Sequence, residues 1–202
     1  MKILKHIFPI AVLTLTGLFI ACSPEDEQEL PQYNNIIYSV DFQGVLDGTF
    51  DETPFTNFSE VGTKKWFGNK DTRNVNAYYE FSPFQSGQPL NIGWFITPAI
   101  NLDEAKAKRL TFQVAQHHVV NSTENYLEVF VSNNFTGNVA EADWVKFEFK
   151  KPEAGSRNYV WVNSGAINLA PFSGNVHIAF KATGGTASAN AGAYMIDNIK
   201  VF

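Results

Sequence analysis

The chain has 202 residues, with 15 basic and 20 acidic side chains and a formal net charge of −5 at pH 7. A chain of this length accommodates one ordinary domain and a short extension. The negative charge argues against nucleic acid as a partner, because nucleic-acid-binding domains present a basic face to the phosphates.

Residues 1–21 have the organisation of an export signal. Lys2 and Lys5 give a positive start, and residues 7–20 then form an almost wholly apolar run. A transmembrane helix needs about 20 apolar residues, so this run is too short to span a bilayer and is typical of a signal peptide. The alternative is a buried N-terminal helix, but the charge, the length and the small residue at its end favour export.

The end of this run, Leu18-Phe19-Ile20-Ala21-Cys22, resembles the lipobox of bacterial lipoproteins. In that family the signal peptide is cleaved before the cysteine, whose thiol carries a diacylglycerol. The commonest pattern has leucine three residues before the cysteine, where this chain has Phe19. The resemblance predicts that Cys22, the only cysteine of the chain, is lipidated and anchors the protein to a membrane. A disulfide in the mature fold is then excluded.

Residues 22–35 are predicted to be a disordered tether between the lipid and the folded domain. Residues 23–32 include four acidic residues and two prolines, a composition with little apolar surface to bury. An acidic segment directly after the lipidated cysteine also resembles the signal that sends lipoproteins of the Bacteroidetes to the cell surface. This resemblance favours a location in the outer membrane, facing the cell exterior, over a periplasmic orientation.

From residue 36 to residue 202 the pattern is that of β-strands. Apolar and polar residues alternate with a period of two in several segments, which indicates strands with one face in a core. These segments are residues 110–115, 126–131, 145–150 and 176–180. Turn-forming residues separate them, and only residues 103–109 have the pattern of a helical turn. Many short strands without a βαβ rhythm predict an all-β sandwich over residues 36–202.

Catalytic motifs are scarce in this sequence. His117 and His118 are adjacent, so on a strand they should point to opposite faces and cannot share a metal ion. No P-loop, dinucleotide fingerprint, EF-hand or nucleophile elbow is present. Carboxylate pairs would serve a glycosidase, but the sequence does not place two of them opposite each other. We therefore predict that the protein is not an enzyme, with an unrecognised glycan hydrolase as an alternative.

Aromatic side chains are the candidates for ligand binding, since an aromatic face can stack on a sugar ring. The set comprises the four tryptophans together with Tyr78, Tyr79 and Phe84. Trp94 and Trp161 lie in strand-like runs and are expected in the core. Tyr78, Tyr79 and Phe84 lie in a stretch rich in Asn, Ser and Gly and are expected to be exposed. The predicted ligand site therefore consists of Trp66, Tyr78, Tyr79 and Phe84.

Residues Gly93–Leu102 read G-W-F-I-T-P-A-I-N-L and are followed by further recognisable segments at 110–112, 131–144, 163–169, 172–180 and 196–201. In this order they resemble the choice-of-anchor J domains, relatives of the cleaved-adhesin and MAM-like domains of Bacteroidetes surface proteins. The resemblance covers roughly Trp66 to Phe202. It implies a galactose-binding-like jelly roll, a β-sandwich of two antiparallel sheets, in a mostly non-catalytic family that binds glycans or proteins.

Relatives in this family often hold a structural calcium ion between the first and last strands. Asp41 and Asp197 occupy the matching positions, so the resemblance implies a calcium site at these two residues. Calcium takes six to eight oxygen ligands, so backbone carbonyls and waters would complete the shell, and Asp47 and Asp51 are further candidates. The alternative for Asp197 is a hydrogen bond to the backbone near a strand end.

Together these features predict a cell-surface lipoprotein whose β-sandwich binds extracellular carbohydrate or matrix protein. The alternative is a structural or adhesive module that contacts other surface proteins and has no site for a small ligand.

Overall fold

The computed structural model describes residues 35–202, except for residues 72 and 74. The predicted signal peptide, the lipid on Cys22 and nearly all of the predicted tether lie outside the described residues. Residues 34–202 form one compact unit, which contains both sheets and the core between them. No helix in the described part is long and apolar enough to cross a membrane.

Short strands dominate the described part of the chain. They are β1 (Tyr38–Val40), β2 (Thr56–Val61), β3 (Phe67–Asp71), β4 (Asn76–Phe81), β5 (Asn91–Ile96), β6 (Ile100–Asn101), β7 (Arg109–His117), β8 (Tyr126–Ser132), β9 (Val145–Phe147), β10 (Val162–Asn163), β11 (Ile167–Asn168), β12 (Asn175–Gly184) and β13 (Ala193–Val201). Among these described residues, helical structure is limited to single 3-10 turns, at Gln43–Val45, Leu102–Glu104 and Val139–Glu141.

The strands form two antiparallel sheets. In the seven-stranded sheet the order is β10-β7-β13-β4-β3, with β1 beside β13 and β11 beside β7. In the six-stranded sheet the order is β2-β5-β12-β8-β9, with β6 beside β12. The prediction of an all-β, jelly-roll sandwich of two antiparallel sheets is confirmed.

The core lies between the two sheets and is rich in aromatic rings. Tyr79 of β4 and Phe95 of β5 come from opposite sheets, and their ring centroids are 4.5 Å apart. Phe112 of β7 meets Phe180 of β12 edge-on at 5.1 Å. These four side chains are at most 2% exposed, so they join the sheets directly.

Smaller apolar clusters cover parts of the outer faces. On the six-stranded sheet, Trp94, Ile96 and Ala179 are buried beneath Trp144 and other partly buried residues. On the seven-stranded sheet, Tyr78, Ala115 and Met195 are buried against Trp161. Central strands such as β4 and β5 therefore have both faces buried, which is why apolar residues follow one another in their sequences.

Replacement of Phe95 by alanine should strongly destabilise the domain. The Phe95 ring is fully buried and contacts Phe55, stacked at 4.9 Å, as well as Tyr79. Truncation of a buried phenylalanine costs about 3–5 kcal/mol through lost burial and the cavity left behind. Chemical denaturation of residues 34–202 measures this loss.

The matched control is Phe84→Ala, which removes the same ring from a position that is 56% exposed. It should change the free energy of unfolding by no more than about 0.5 kcal/mol. An equal loss in the free energy of unfolding in the two variants would contradict the placement of Phe95 in the core.

Candidate functional site

Trp66 and Tyr79 lie in the core between the sheets, at 2% and 0% exposure. Tyr79 is on β4, which has a neighbouring strand on each side, and its side chain is on the inner face. The Trp66 Nε1 group donates a hydrogen bond to the Gly93 carbonyl oxygen at 3.1 Å. A stacking platform needs an exposed ring, so the prediction that these two residues bind ligand is wrong. The polar residues near them in sequence lie at strand ends and in loops. The prediction wrongly took these polar neighbours as a sign that the aromatic residues themselves are exposed.

Tyr78 is on the outer face of β4 but is only 6% exposed. Trp161 covers it edge-on at 5.6 Å, so the prediction of exposure is wrong here too. Phe84 is 56% exposed, as predicted. Tyr78 and Phe84 line different clefts, so the structure does not bring the four predicted residues together.

A groove of about 550 Å³ lies on the outer face of the six-stranded sheet. We call it the tryptophan groove, and its principal lining residues are Phe58, Glu60, Trp94, Trp144, Lys181 and the turn 137–140. Phe58, Trp94 and Lys181 are aligned on β2, β5 and β12, because each is paired in register with the next. Trp144 comes from the connection between β8 and β9. Three strands and one loop therefore build the groove.

Trp94 is the floor of the tryptophan groove. Its ring is 4% exposed, lies nearly parallel to the Phe58 ring at 6.4 Å, and approaches the Trp144 ring at 5.5 Å. The Lys181 Nζ atom is 4.8 Å from the Trp94 ring centroid, in a cation–π contact. Because Trp94 is largely covered, the partly buried Trp144 and Phe58 rings provide the surface that a ligand can touch.

Glu60 supplies a negative charge at the same place. Its Oε2 atom accepts a hydrogen bond from Trp94 Nε1 at 2.6 Å and lies 3.1 Å from Lys181 Nζ. Partial burial opposes ionisation, but the hydrogen bonds from Trp94 and Lys181 and the charge of Lys181 outweigh it, so the pKa of Glu60 is lowered. Since both contacts use Oε2, the Oε1 atom remains available as an acceptor for a ligand hydroxyl.

The loop that carries Trp144 is held by its own hydrogen bonds. The side chain of Asn134 donates to Asp143 Oδ2 at 3.0 Å and accepts from the Asp143 backbone N–H at 2.8 Å. Trp144 Nε1 donates to the Val139 carbonyl oxygen at 3.1 Å. A wall that is ordered before the ligand arrives reduces the entropy lost on binding.

Sequence reasoning named Trp94 and Trp144 among the aromatic residues but left both out of the predicted site. What distinguishes them is their place on the outer face formed by the paired strands β2, β5 and β12 and the loop beside it. That face can be identified only when the strand pairing is known.

The two carboxylates of the predicted calcium site approach each other. Asp41 follows β1, which pairs with the end of β13, so Asp41 lies near Asp197. Asp197 is 1% exposed, and burial raises its pKa to about 6, with a further contribution from the charge of Asp41. The backbone hydrogen bond expected as the alternative is also present, since the Asn198 N–H donates to Asp197 Oδ1 at 2.7 Å.

Amide side chains lie around Asp197. Asn76 donates to Asp197 Oδ2 at 3.2 Å, and its Oδ1 atom accepts from Gln43 at 2.8 Å. Within the described residues, no three His, Cys, Asp or Glu side chains are grouped as a metal site. The two carboxylates are hard ligands of the kind that calcium prefers, but the Asn76 atom that faces Asp197 is the amide nitrogen.

His117 and His118 do not point to opposite faces. Their Nδ1 atoms are 2.9 Å apart, because His118 follows the last residue of β7 and has a left-handed backbone with φ of 58°. The prediction based on strand alternation is wrong for this pair, since the alternation ends at His117.

Neither a protein-family model nor a curated protein sequence matches this chain. Among solved structures, the K3 cleaved adhesin domain of Lys-gingipain from Porphyromonas gingivalis is similar with a TM-score of 0.52 and 16% identity, over 83% of this chain and 99% of that chain. The K1 domain of the same protein has a TM-score of 0.50 and 16% identity, over 82% and 96%. The CBM22-2 xylan-binding domain of Paenibacillus barcinonensis Xyn10C has a TM-score of 0.48 and 12% identity, over 82% and 98%.

At these identities, the likeness to the adhesin domains establishes the sandwich fold alone. The likeness to the xylan-binding domain is below the level at which we draw any argument from it.

Glu60 should remain ionised at pH values where an ordinary glutamate is protonated. Its lowered pKa means that the ionised side chain stabilises the fold above the unfolded pKa of about 4.3, and that this contribution is lost as the pH falls through the folded pKa. The Trp94 indole N–H donates to this carboxylate, so its proton NMR shift should titrate with a midpoint below that of a glutamate in an unfolded peptide. In Glu60→Gln the transition should be absent, and a midpoint above that of the peptide in the wild type would contradict the assigned contacts.

Proposed function

We propose that this domain is a non-catalytic module that binds extracellular carbohydrate in the tryptophan groove, on a lipoprotein anchored through Cys22 to the outer face of the outer membrane. The observation that carries the ligand proposal is the combination of Trp144 and Phe58 rings with an ionised Glu60 and Lys181 in one groove. Aromatic faces take the apolar side of a sugar ring. The charged groups bond its hydroxyls.

The state of Glu60 favours binding over hydrolysis. A glycosidase requires a carboxylic acid that is protonated at the working pH, with a raised pKa. Glu60 has the opposite property, because Lys181 and the Trp94 indole stabilise its charge. It is therefore suited to accept hydrogen bonds from a ligand and unsuited to protonate a leaving group.

Replacement of Trp144 by alanine should abolish most carbohydrate binding. Stacking of a nucleic-acid base on an aromatic ring contributes about 1–3 kcal/mol. With a similar contribution from a sugar ring, we expect retention in affinity gels of neutral plant and microbial polysaccharides to fall by about tenfold or more. Affinity electrophoresis of residues 34–202 against such a panel measures the effect.

Phe84→Ala is the matched control, because Phe84 is exposed away from the groove, and it should retain wild-type binding. Loss of binding in Phe84→Ala with full retention in Trp144→Ala would place the site elsewhere. No retention of the wild type on any polysaccharide, together with binding to a surface protein, would favour the adhesive alternative.

We also propose that Asp41 and Asp197 hold a structural calcium ion, with backbone carbonyls and waters completing its shell. The ion would supply positive charge between the first and last strands, where the fold otherwise buries the Asp197 carboxylate without a cation in direct contact. It would stabilise the native state only, since the two ligands are far apart in the unfolded chain.

Calcium at a hundredfold excess over its Kd should stabilise the domain by about 2.7 kcal/mol, which corresponds to a rise in Tm of roughly 5–10 °C for a domain of this size. Asp197→Asn should remove this shift, and in chelator it should be no less stable than the wild type, because it removes a buried charge. Glu124→Gln, at an exposed position, is the control and should keep the shift. Identical wild-type melting in calcium and in chelator would exclude the site.

A further inference from the structure

A second cavity, of about 370 Å³, lies beside the end of β7. We call it the histidine pocket, and its lining residues are Ser82, Phe84, His117, His118, Ser188 and Ala191. Its walls are mostly apolar. The two imidazoles and two hydroxyls are therefore its principal polar groups. His117 is the last residue of β7, which belongs to the seven-stranded sheet. The tryptophan groove is on the six-stranded sheet, so the histidine pocket is separate from it.

The two imidazole rings contact each other through their Nδ1 atoms. The Nδ1 atoms of His117 and His118 are 2.9 Å apart. With metal–nitrogen bonds of about 2.0 Å, two adjacent ligands of a square-planar ion lie about 2.8 Å apart, and two ligands of a tetrahedral ion lie about 3.3 Å apart. The observed spacing is thus close to that of neighbouring positions around a tetragonal ion, and it also matches an ordinary hydrogen bond between the two nitrogens.

A buried carboxylate determines which nitrogen of His117 carries the proton. The Nε2 atom of His117 lies 3.1 Å from Glu80 Oε1, and Glu80 is 4% exposed. Asn69 donates to the other carboxylate oxygen of Glu80 at 2.8 Å, which holds the group in place. Since an ionised carboxylate can only accept, the His117 proton is on Nε2 and the Nδ1 lone pair points to His118. This is the arrangement in which a carboxylate orients a metal-binding imidazole.

His118 is held in position by a different set of contacts. Its backbone N–H donates to Asn158 Oδ1 at 2.8 Å, and its left-handed backbone turns the ring toward His117. On the other side, the Tyr159 ring stacks on His117 at 4.9 Å and 23°. The His117 ring is therefore oriented by Glu80 and Tyr159 before any ligand binds, and Asn158 fixes the backbone of His118.

We propose that His117 and His118 bind one Cu²⁺ ion through their Nδ1 atoms, with Glu80 as the positioning residue for His117. Copper is favoured because it prefers nitrogen ligands in tetragonal geometry and binds such sites most tightly among the first-row divalent ions. Water or an exogenous donor in the histidine pocket fills the remaining positions. Without metal, the same two atoms share one hydrogen bond, with His118 as the donor.

The experiment is a titration of residues 34–202 with Cu²⁺, followed by calorimetry and by electron paramagnetic resonance. The N-terminal amine is acetylated, because a free amine with its neighbouring amides also binds copper. We expect one ion per chain and hyperfine structure from two imidazole nitrogens.

His118→Asn is the informative variant, because asparagine tolerates the left-handed backbone and so keeps the turn. It should lower the affinity at least tenfold and leave the hyperfine structure of one nitrogen. Glu80→Gln should lower the affinity about 10–100-fold, as loss of an orienting carboxylate does at metal sites, while the two-nitrogen spectrum is kept.

His177→Asn is the matched control. His177 lies on β12, and its Nδ1 atom contacts the Thr97 carbonyl oxygen at 2.8 Å, so it takes no part in the proposed site. Its removal should leave affinity and spectrum unchanged. Equal copper binding by the wild type and His118→Asn, or a one-nitrogen spectrum for the wild type, would overturn the proposal and leave the imidazole pair as a hydrogen bond only.

Discussion

The contact between the inner faces of the two sheets is the constraint on which the rest of the structure depends. Tyr79 and Phe95 meet across the core, and burial of such rings is the largest favourable term that a sandwich of this size has. Once Phe95 points inward, the alternation of a strand requires Trp94 to point outward. In the same way, inward Phe180 places Lys181 on the outer face, in register with Trp94. The core therefore determines where the tryptophan groove is.

The same constraint acts on the other sheet. Because Tyr79 is inward, Glu80 is directed to the outer face of β4, where Asn69 and His117 contact it. Glu80 is buried there by its neighbours, and only its partner His117 reaches the histidine pocket. Trp94, Lys181 and Glu80 are thus each adjacent in sequence to a core aromatic residue, and a change of register by one residue would exchange core and surface positions.

The β-sandwich could be predicted from the sequence, because the alternation of apolar and polar residues is a local pattern that recurs in several strands. The ligand site could not be predicted in this way. In Ala77-Tyr78-Tyr79-Glu80-Phe81 the apolar residues are nearly continuous, so the pattern does not tell which face is inward. The structure resolves this by burying both faces, Tyr79 between the sheets and Tyr78 beneath Trp161. The tryptophan groove depends on β2, β5 and β12 being neighbours, and these strands are distant in sequence. Such pairing is a property of the whole chain and is absent from any local pattern.

The histidine pair shows a second limit of local reasoning. Alternation correctly describes β7 as far as His117, but the strand ends there and the next residue takes a left-handed conformation. That conformation is accompanied by a contact from Asn158, forty residues away in the chain, which no spacing rule could reveal. A left-handed backbone at a residue other than glycine costs on the order of 1 kcal/mol or more, and the surrounding contacts must offset it. The hydrogen bond from the His118 N–H to Asn158 is one of these contacts, and the same left-handed turn brings the two Nδ1 atoms together.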